Sequence, residues 1–322
     1  MRRPLILFYN AFFDAYPDTA RLSCADACEF TSERSRMAEA DAVIFHLPTC
    51  QRIWEARKYP GQLWVAWSQE SEVNVRALRR ARFMAHFDLA ATYRRDSDFW
   101  APYLPREPER MLAPPRAKTE AAPAVLFLSS AHDRSQRNRY LHELMRRMRV
   151  DSYGRLARNR QIEGSDFGYE TKLAVIARYK FCLSFENSIA PDYVTEKFFQ
   201  PLIAGTVPVY RGAPNVAEFA PGPKSYIDVS NFSDPAALAD YLNRLAGDEK
   251  AYGEFLQWKQ AGFSSAFQTL TQSLRQDPLC RLCAILQQRS TAGRASGYTR
   301  PFRLRQWYPA EIRRRWRRSA PA

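Results

Sequence analysis

Seven short apolar runs limit what this chain can fold into. They are PLILFYN (4–10), ADAVIFHL (40–47), QLWVAWS (62–68), FDLAATYR (87–94), AVLFLSS (124–130), FCLSFEN (181–187) and TVPVYRG (206–212). None alternates strictly between apolar and polar residues, which is how a strand buried on both faces of a parallel sheet reads. Parallel neighbours need long crossovers, usually helices. SQRNRYLHELMRRM (135–148) supplies one, with Leu141, Leu144, Met145 and Met148 on a single helical face and Ser135 placed to cap it. Further helices are expected over 169–179, within 193–204, and over 235–247 and 251–263, with shorter strands at VDSYG and SYIDVS. The segment from Arg106 to Pro123 is rich in proline and charge and carries no period, so it reads as a linker. Two βαβ series joined in this way predict an α/β chain with two Rossmann-like domains facing a central cleft. The expected division is 1–118, 119–285 and a basic aromatic tail over 286–322. At 322 residues the chain is long enough for two cores.

Several function classes are excluded by what is missing. No G-x-G-x-x-G follows a strand, no P-loop motif occurs, no G-x-S-x-G is present, and no short repeat is visible. No apolar run approaches the roughly 20 residues that span a bilayer. LILFYN near the start reads as a strand rather than a secretion signal, so a cytoplasmic protein is expected, with its six cysteines as thiols. Cys24, Cys28, Cys280 and Cys283 could instead form a four-thiolate zinc site, but the spacing is loose and no histidine supports it.

The chemistry concentrates in FCLSFENSIAPDYVTEKF (181–198). Ligands of open α/β sheets bind beyond the carboxyl ends of strands, and Asn187 stands at such an end, while Glu186 before it reads as either a donor contact or a buried structural acid. Glu196 and Lys197 fall in the first turns of the next helix, where free N–H groups and the helix dipole favour an anion such as a diphosphate. Lys197 adds a point charge for phosphate. Glu196 suits vicinal hydroxyls, as on a ribose. Arg137, just beyond the strand AVLFLSS, is placed for a second phosphate oxygen. Together these read as a grip for a nucleotide sugar, although a Glu-Lys dipeptide alone is more often a solvated pair. In WSQESEVN (67–74), Glu70 and Glu72 are candidate general bases toward an acceptor hydroxyl. Asp96-x-Asp98 has the spacing of a metal pair but lacks a third ligand, and structural capping or hydrogen bonding on the acceptor side is the preferred reading. Pro201, inside the helix after Glu-Lys, is expected to kink it or mark a late start.

Residues 179–221, YKFCLSFENSIAPDYVTEKFFQPLIAGTVPVYRGAPNVAEFAP, resemble the signature region of the α1,3/4-fucosyltransferases, glycosyltransferase family ten. VDSYGR (150–155), DAVIFH (41–46) and YRRDSD (93–98) resemble further family segments in the same order, so the resemblance covers residues 4–285. It implies a GT-B fold, with an acceptor domain followed by a GDP-fucose domain, and an inverting single displacement. It also implies roles for residues: Glu70 as base, Arg137 and Lys197 on the diphosphate, Glu196 on the ribose, and Asn187 and Tyr193 as donor contacts. GDP-fucose is then the donor and a hydroxyl of N-acetylglucosamine the acceptor, on a lactosamine-type or glucose-containing glycan such as bacterial lipopolysaccharide. No cofactor or metal is needed, because cations and a helix N-terminus can stabilise the leaving GDP. The implied type is the bacterial one without a membrane anchor. After VIFH the text LPTCQRIW departs from the vertebrate pattern, which leaves 3-OH against 4-OH transfer open.

The net charge of +14 is uneven: residues 294–322 hold nine arginines against Glu311 alone, interleaved with Trp307, Tyr308 and Trp316. That tail suits either peripheral contact with an anionic membrane on its cytoplasmic face, the preferred reading, or a disordered solubilising segment. The competing readings are a GT-B enzyme of other specificity or, in a different class, a nucleic-acid-binding module. The latter accounts for the tail but not for Asn187, Tyr193, Glu196 and Lys197, so nucleic acid is not expected as a partner.

Overall fold

The computed structural model describes residues 2–51, 53–155, 157–272 and 276–291. The chain divides into two compact units: residues through Pro102 with the segment that resumes at Gln276, and Tyr103–Arg275. The first boundary therefore lies ahead of the expected one at residue 118, and the Pro-rich segment belongs to the second unit.

In the first unit the strands are β1 Leu5–Phe8, β2 Glu29–Thr31, β3 Ala42–His46, β4 Leu63–Ser68, β5 Leu89–Thr92 and β6 Phe99–Trp100. They form one sheet in the order β2-β1-β3-β4-β5-β6, with every pairing parallel. The apolar runs are continuous because both faces are covered. Leu5, Leu7, Val43, Phe45, Trp64 and Ala66 pack on one side, and Ile6, Phe8, Ala42, Ile44, Val65 and Trp67 on the other. Among the described residues a single-turn helix, α1 Ala81–Met84, precedes β5.

The second unit holds β7 Ala124–Leu126, β8 Val150–Ser152, β9 Phe181–Phe185, β10 Val207–Arg211 and β11 Ile227–Asp228, again all parallel, in the order β11-β10-β9-β7-β8. Its helices are α2 Arg137–Met145, α3 Tyr169–Ile176, α4 Glu196–Ala204, α5 Pro235–Gly247, α6 Glu249–Glu254, α7 Trp258–Ala261 and α8 Ser265–Gln272. Leu141 and Leu144 of α2 and Leu238 and Leu242 of α5 cover one face of the sheet. Val175 and Ile176 of α3 cover the other. Gly154 permits close approach just past β8: a Cβ there would lie 2.1 Å from the carbonyl oxygen of Leu128.

Some local expectations are corrected. Ser135 does not cap α2. The N-cap is Gln136, in the left-handed region at φ +59°, and the Asp133 carboxylate accepts the N–H groups of Ser135, Arg137 and Asn138 at 3.0–3.1 Å. The predicted helix over 251–263 is two shorter ones, α6 and α7. Pro201 lies inside α4, which runs on to Ala204 and ends at Gly205 with φ +72°. A residue with a side chain would be strained at Gly205, and its Cβ would meet Pro115 at 2.9 Å.

The largest correction concerns cysteine. The last described helix, α9 Pro278–Thr291, belongs to the first unit, where Leu279, Leu282 and Leu286 join the sheet core. Disulfides tie it there: Cys24–Cys280 and Cys28–Cys283, with Cα separations of 5.3 and 6.0 Å. The four cysteines are therefore neither thiols nor a zinc cluster; Cys50 and Cys182 are free. Among the described residues no helix is long and apolar enough to cross a membrane. The arginine-rich tail lies outside the described residues.

Candidate active site

All strands of the second unit run parallel, so their carboxyl ends share one edge of the sheet. Glu186 and Asn187 leave β9 there. The loop from β9 crosses to α4 through Asp192, held at φ +64°. Asp192 is fixed by two hydrogen bonds to Asn215: its N–H donates to Asn215 Oδ1 at 2.9 Å, and its Oδ1 accepts from Asn215 Nδ2 at 2.8 Å. Tyr193 follows, 1% exposed, with its ring packed edge-on against Tyr103 and its carbonyl accepting from the Tyr210 hydroxyl at 3.1 Å. Asn187 is half-buried, and its carbonyl accepts the Arg134 N–H at 2.7 Å, which ties the loop after β7 to the end of β9.

Thr195 caps α4, its hydroxyl accepting the Lys197 N–H. Glu196 and Lys197 occupy the first turn, as their spacing predicts. The Lys197 ammonium lies 3.0 Å from Glu196, 3.1 Å from the Thr195 hydroxyl and 3.4 Å from Glu186. Burial disfavours this ammonium, but Glu186 and Glu196 outweigh it and hold Lys197 above the ordinary lysine value. Burial likewise opposes ionisation of Glu196, yet Lys197 and then Lys172 hold it below the ordinary carboxylate value. Both groups are thus charged at neutral pH. A cation at a helix N-terminus with free N–H groups is suited to a diphosphate.

Arg137 is 1% exposed. Its guanidinium donates to the carbonyls of Phe185 and Ser130 at 3.0 Å and of His132 at 3.1 Å, while its buried Nε–H has no hydrogen-bond partner among the described residues. It therefore braces the mouths of β7 and β9 and leaves a positive charge behind them. Three contributors are missed by sequence reasoning: Asp133, Thr195 and Lys172. Asp133 and Thr195 act through local geometry that residue type alone does not announce. Lys172, on α3, is brought near Glu196 only by the fold and left no sequence signal.

In the first unit, Glu70 follows β4. It accepts from the Asn74 side chain at 2.7 Å. Glu72 accepts from the Tyr93 hydroxyl and lies 3.6 Å from Arg94. Asp96 pairs with Arg94 at 2.9 Å, and Asp98 accepts the Ala90 N–H at 2.9 Å. These last two are structural contacts.

The second unit thus carries a charged helix start at the carboxyl edge of its sheet, and the first unit carries acids beyond the carboxyl end of β4. Comparison with known proteins identifies the family. Residues 1–104 match the N-terminal region of fucosyltransferases, and residues 116–300 match the C-terminal region of glycosyltransferase family 10 (fucosyltransferase). The chain belongs to that family. It is 32% identical to α-(1,3)-fucosyltransferase B of Drosophila melanogaster over 261 residues, covering 75% of this chain and 59% of the relative. It is 34% identical to human GDP-fucose protein O-fucosyltransferase 3 over 293 residues, covering 83% of this chain and 60% of the relative. The chain thus spans about three fifths of the length of these two eukaryotic relatives. A solved α1,3-fucosyltransferase with GDP-fucose superposes with a TM-score of 0.60 at 17% identity, covering 89% of this chain and 91% of that one. The architecture is the GT-B type of such neighbours, α/β with two Rossmann-like units.

Proposed function

We propose that this protein transfers L-fucose from GDP-fucose by an inverting, single displacement onto a hydroxyl of N-acetylglucosamine, forming an α1,3 linkage. The observation that carries the donor half is the charged first turn of α4, where Thr195, Glu196 and Lys197 meet the end of β9. Lys197, the α4 N-terminus and the positive charge of Arg137 offset the charge that grows on the departing diphosphate. Glu196 accepts from the ribose hydroxyls, with Asn187 and Tyr193 as further donor contacts. Glu70 takes the proton of the acceptor hydroxyl as that oxygen bonds to the anomeric carbon and the bond to GDP breaks. The transfer is proposed to need no metal.

The identity to a protein O-fucosyltransferase supports a second acceptor reading, a protein hydroxyl in place of a glycan. Two disulfides favour an oxidising compartment over the reducing cytoplasm that the sequence suggested. A lipopolysaccharide acceptor and membrane contact by the tail gain no support from the described residues.

The test is transfer of labelled fucose from GDP-fucose, in the presence of EDTA, to lactosamine and separately to a folded, disulfide-containing protein domain. Labelled lactosamine supports the first reading, and a labelled protein the second. Transfer from another nucleotide sugar but not from GDP-fucose overturns both. Activity that disappears with EDTA and returns with a divalent cation overturns the metal-free step.

A further inference from the structure

Glu186 has no solvent exposure, and both of its carboxylate oxygens are engaged by the turn that opens α4. Oε1 accepts the Thr195 N–H at 2.8 Å, and Oε2 accepts the Thr195 hydroxyl at 2.9 Å. Oε2 also lies 3.4 Å from the Lys197 ammonium. The Thr195 hydroxyl in turn accepts from both the backbone N–H and the ammonium of Lys197. One buried acid therefore fixes both ends of the lysine expected to meet the diphosphate.

The acid is itself held from every side. Its N–H donates to the Arg211 carbonyl at 2.8 Å, and its carbonyl accepts from the Ser135 hydroxyl at 2.7 Å. The Tyr210 hydroxyl stands 3.5 Å from Oε1 and accepts the Ala213 N–H. Gly212 closes the space behind: a Cβ there would lie 2.3 Å from the Tyr210 hydroxyl oxygen and 2.6 Å from Glu186 Cγ. Burying a carboxylate is costly, and an apolar residue of similar volume fills such a space at lower cost. A fully bonded acid aimed at a single turn points to positioning.

We propose that Glu186 is a positioning residue for the donor diphosphate, fixing Thr195 and the Lys197 ammonium in place before the nucleotide arrives. The inference rests on the donor reading above. Preorganisation of this kind lowers the ordering cost of binding.

Two effects of opposite sign make the test decisive. Glu186→Gln removes a negative charge beside Lys197, which by charge alone tightens binding of an anion. It also loosens the turn, which weakens it. Positioning predicts that GDP, measured by calorimetry on the full-length protein, loses at least tenfold in affinity, while guanosine, measured by ligand-observed NMR, stays within twofold. Gly212→Ala, whose added Cβ presses on both the Tyr210 hydroxyl and Glu186 Cγ without changing the acid's chemistry, moves GDP affinity in the same direction, and it decides the matter if Glu186→Gln does not fold. GDP bound as tightly as by the wild type, or more tightly, overturns the proposal. So does an equal loss for GDP and guanosine, which marks a merely structural acid. Wild-type protein that binds no GDP overturns the donor reading itself, a result distinct from either.

Discussion

The phenol of Tyr93 donates to the carboxylate of Glu72, and the Arg94 guanidinium flanks the same acid. Glu72 is thereby built into the loop that follows β5, whereas Glu70 accepts from the side chain of nearby Asn74. The two acids should separate on substitution. Glu70→Gln is expected to lower kcat by about 10²–10⁴-fold, the usual contribution of a general base, with little change in Tm. Glu72→Gln is expected to lower Tm and to affect kcat less. Steady-state kinetics and thermal melts of both variants check this, and near-normal turnover in Glu70→Gln would place the base elsewhere.

Lys197→Ala removes the ammonium at the α4 N-terminus and leaves Glu186 buried without its cation. GDP affinity should fall by about 10–100-fold, the range of one lost charged hydrogen bond. Calorimetry on the full-length protein checks it.

The disulfides close nearly the same loop, with sequence separations of 256 and 255. Once one is formed, the other constrains little more of the unfolded chain. Cys24→Ser/Cys280→Ser and Cys28→Ser/Cys283→Ser should each cost little, while loss of both costs about 5 kcal/mol in the loop-entropy account. Denaturant unfolding of the three variants measures the non-additivity, and equal, additive losses would refute it.

His46 ends β3, 2% exposed, stacked on Phe12 at 4.6 Å, with Nδ1 2.8 Å from the Thr49 hydroxyl. Burial pushes its imidazole down to about 4. The folded state thus resists a proton that the unfolded chain takes up near pH 6.5. The resulting stability is fully present above pH 6.5 and is lost as pH falls toward 4, by roughly 3 kcal/mol. Chemical denaturation across that window should show the loss, and a His46→Asn variant should show less of it. An unchanged slope in the variant would assign the effect to another group.

How much was legible varies by element. The strands with both faces buried were readable because unbroken apolar runs have one common explanation. The edge strands β2 and β6, three and two residues long, were not, because EFT and FW carry no pattern at that length. In α4 the sequence placed Glu196 and Lys197 correctly in the first turn. It left Glu186 undecided between a donor contact and a structural acid, since the same residue serves either role and only its neighbours discriminate. Arg137 was legible as a cation beyond a strand, but not as a brace donating to three carbonyls.

By itself the sequence determined the class of the chain: local hydrophobic periodicity dictates parallel strands and crossovers, and the position of Glu196 and Lys197 after an apolar run puts them in the first turn of a helix. The tertiary structure alone decided which distant segments meet. Leu279, Leu282 and Leu286 of α9 have helical spacing, but spacing does not say which sheet they cover. Cys280 and Cys283 could not be paired with Cys24 and Cys28 until that helix returned to the first unit. Glu186 and Lys197 became one assembly only because the loop through Asp192 folds the chain back on itself. Periodicity is a property of neighbours along the chain, whereas burial, pairing and charge balance depend on residues brought together in space.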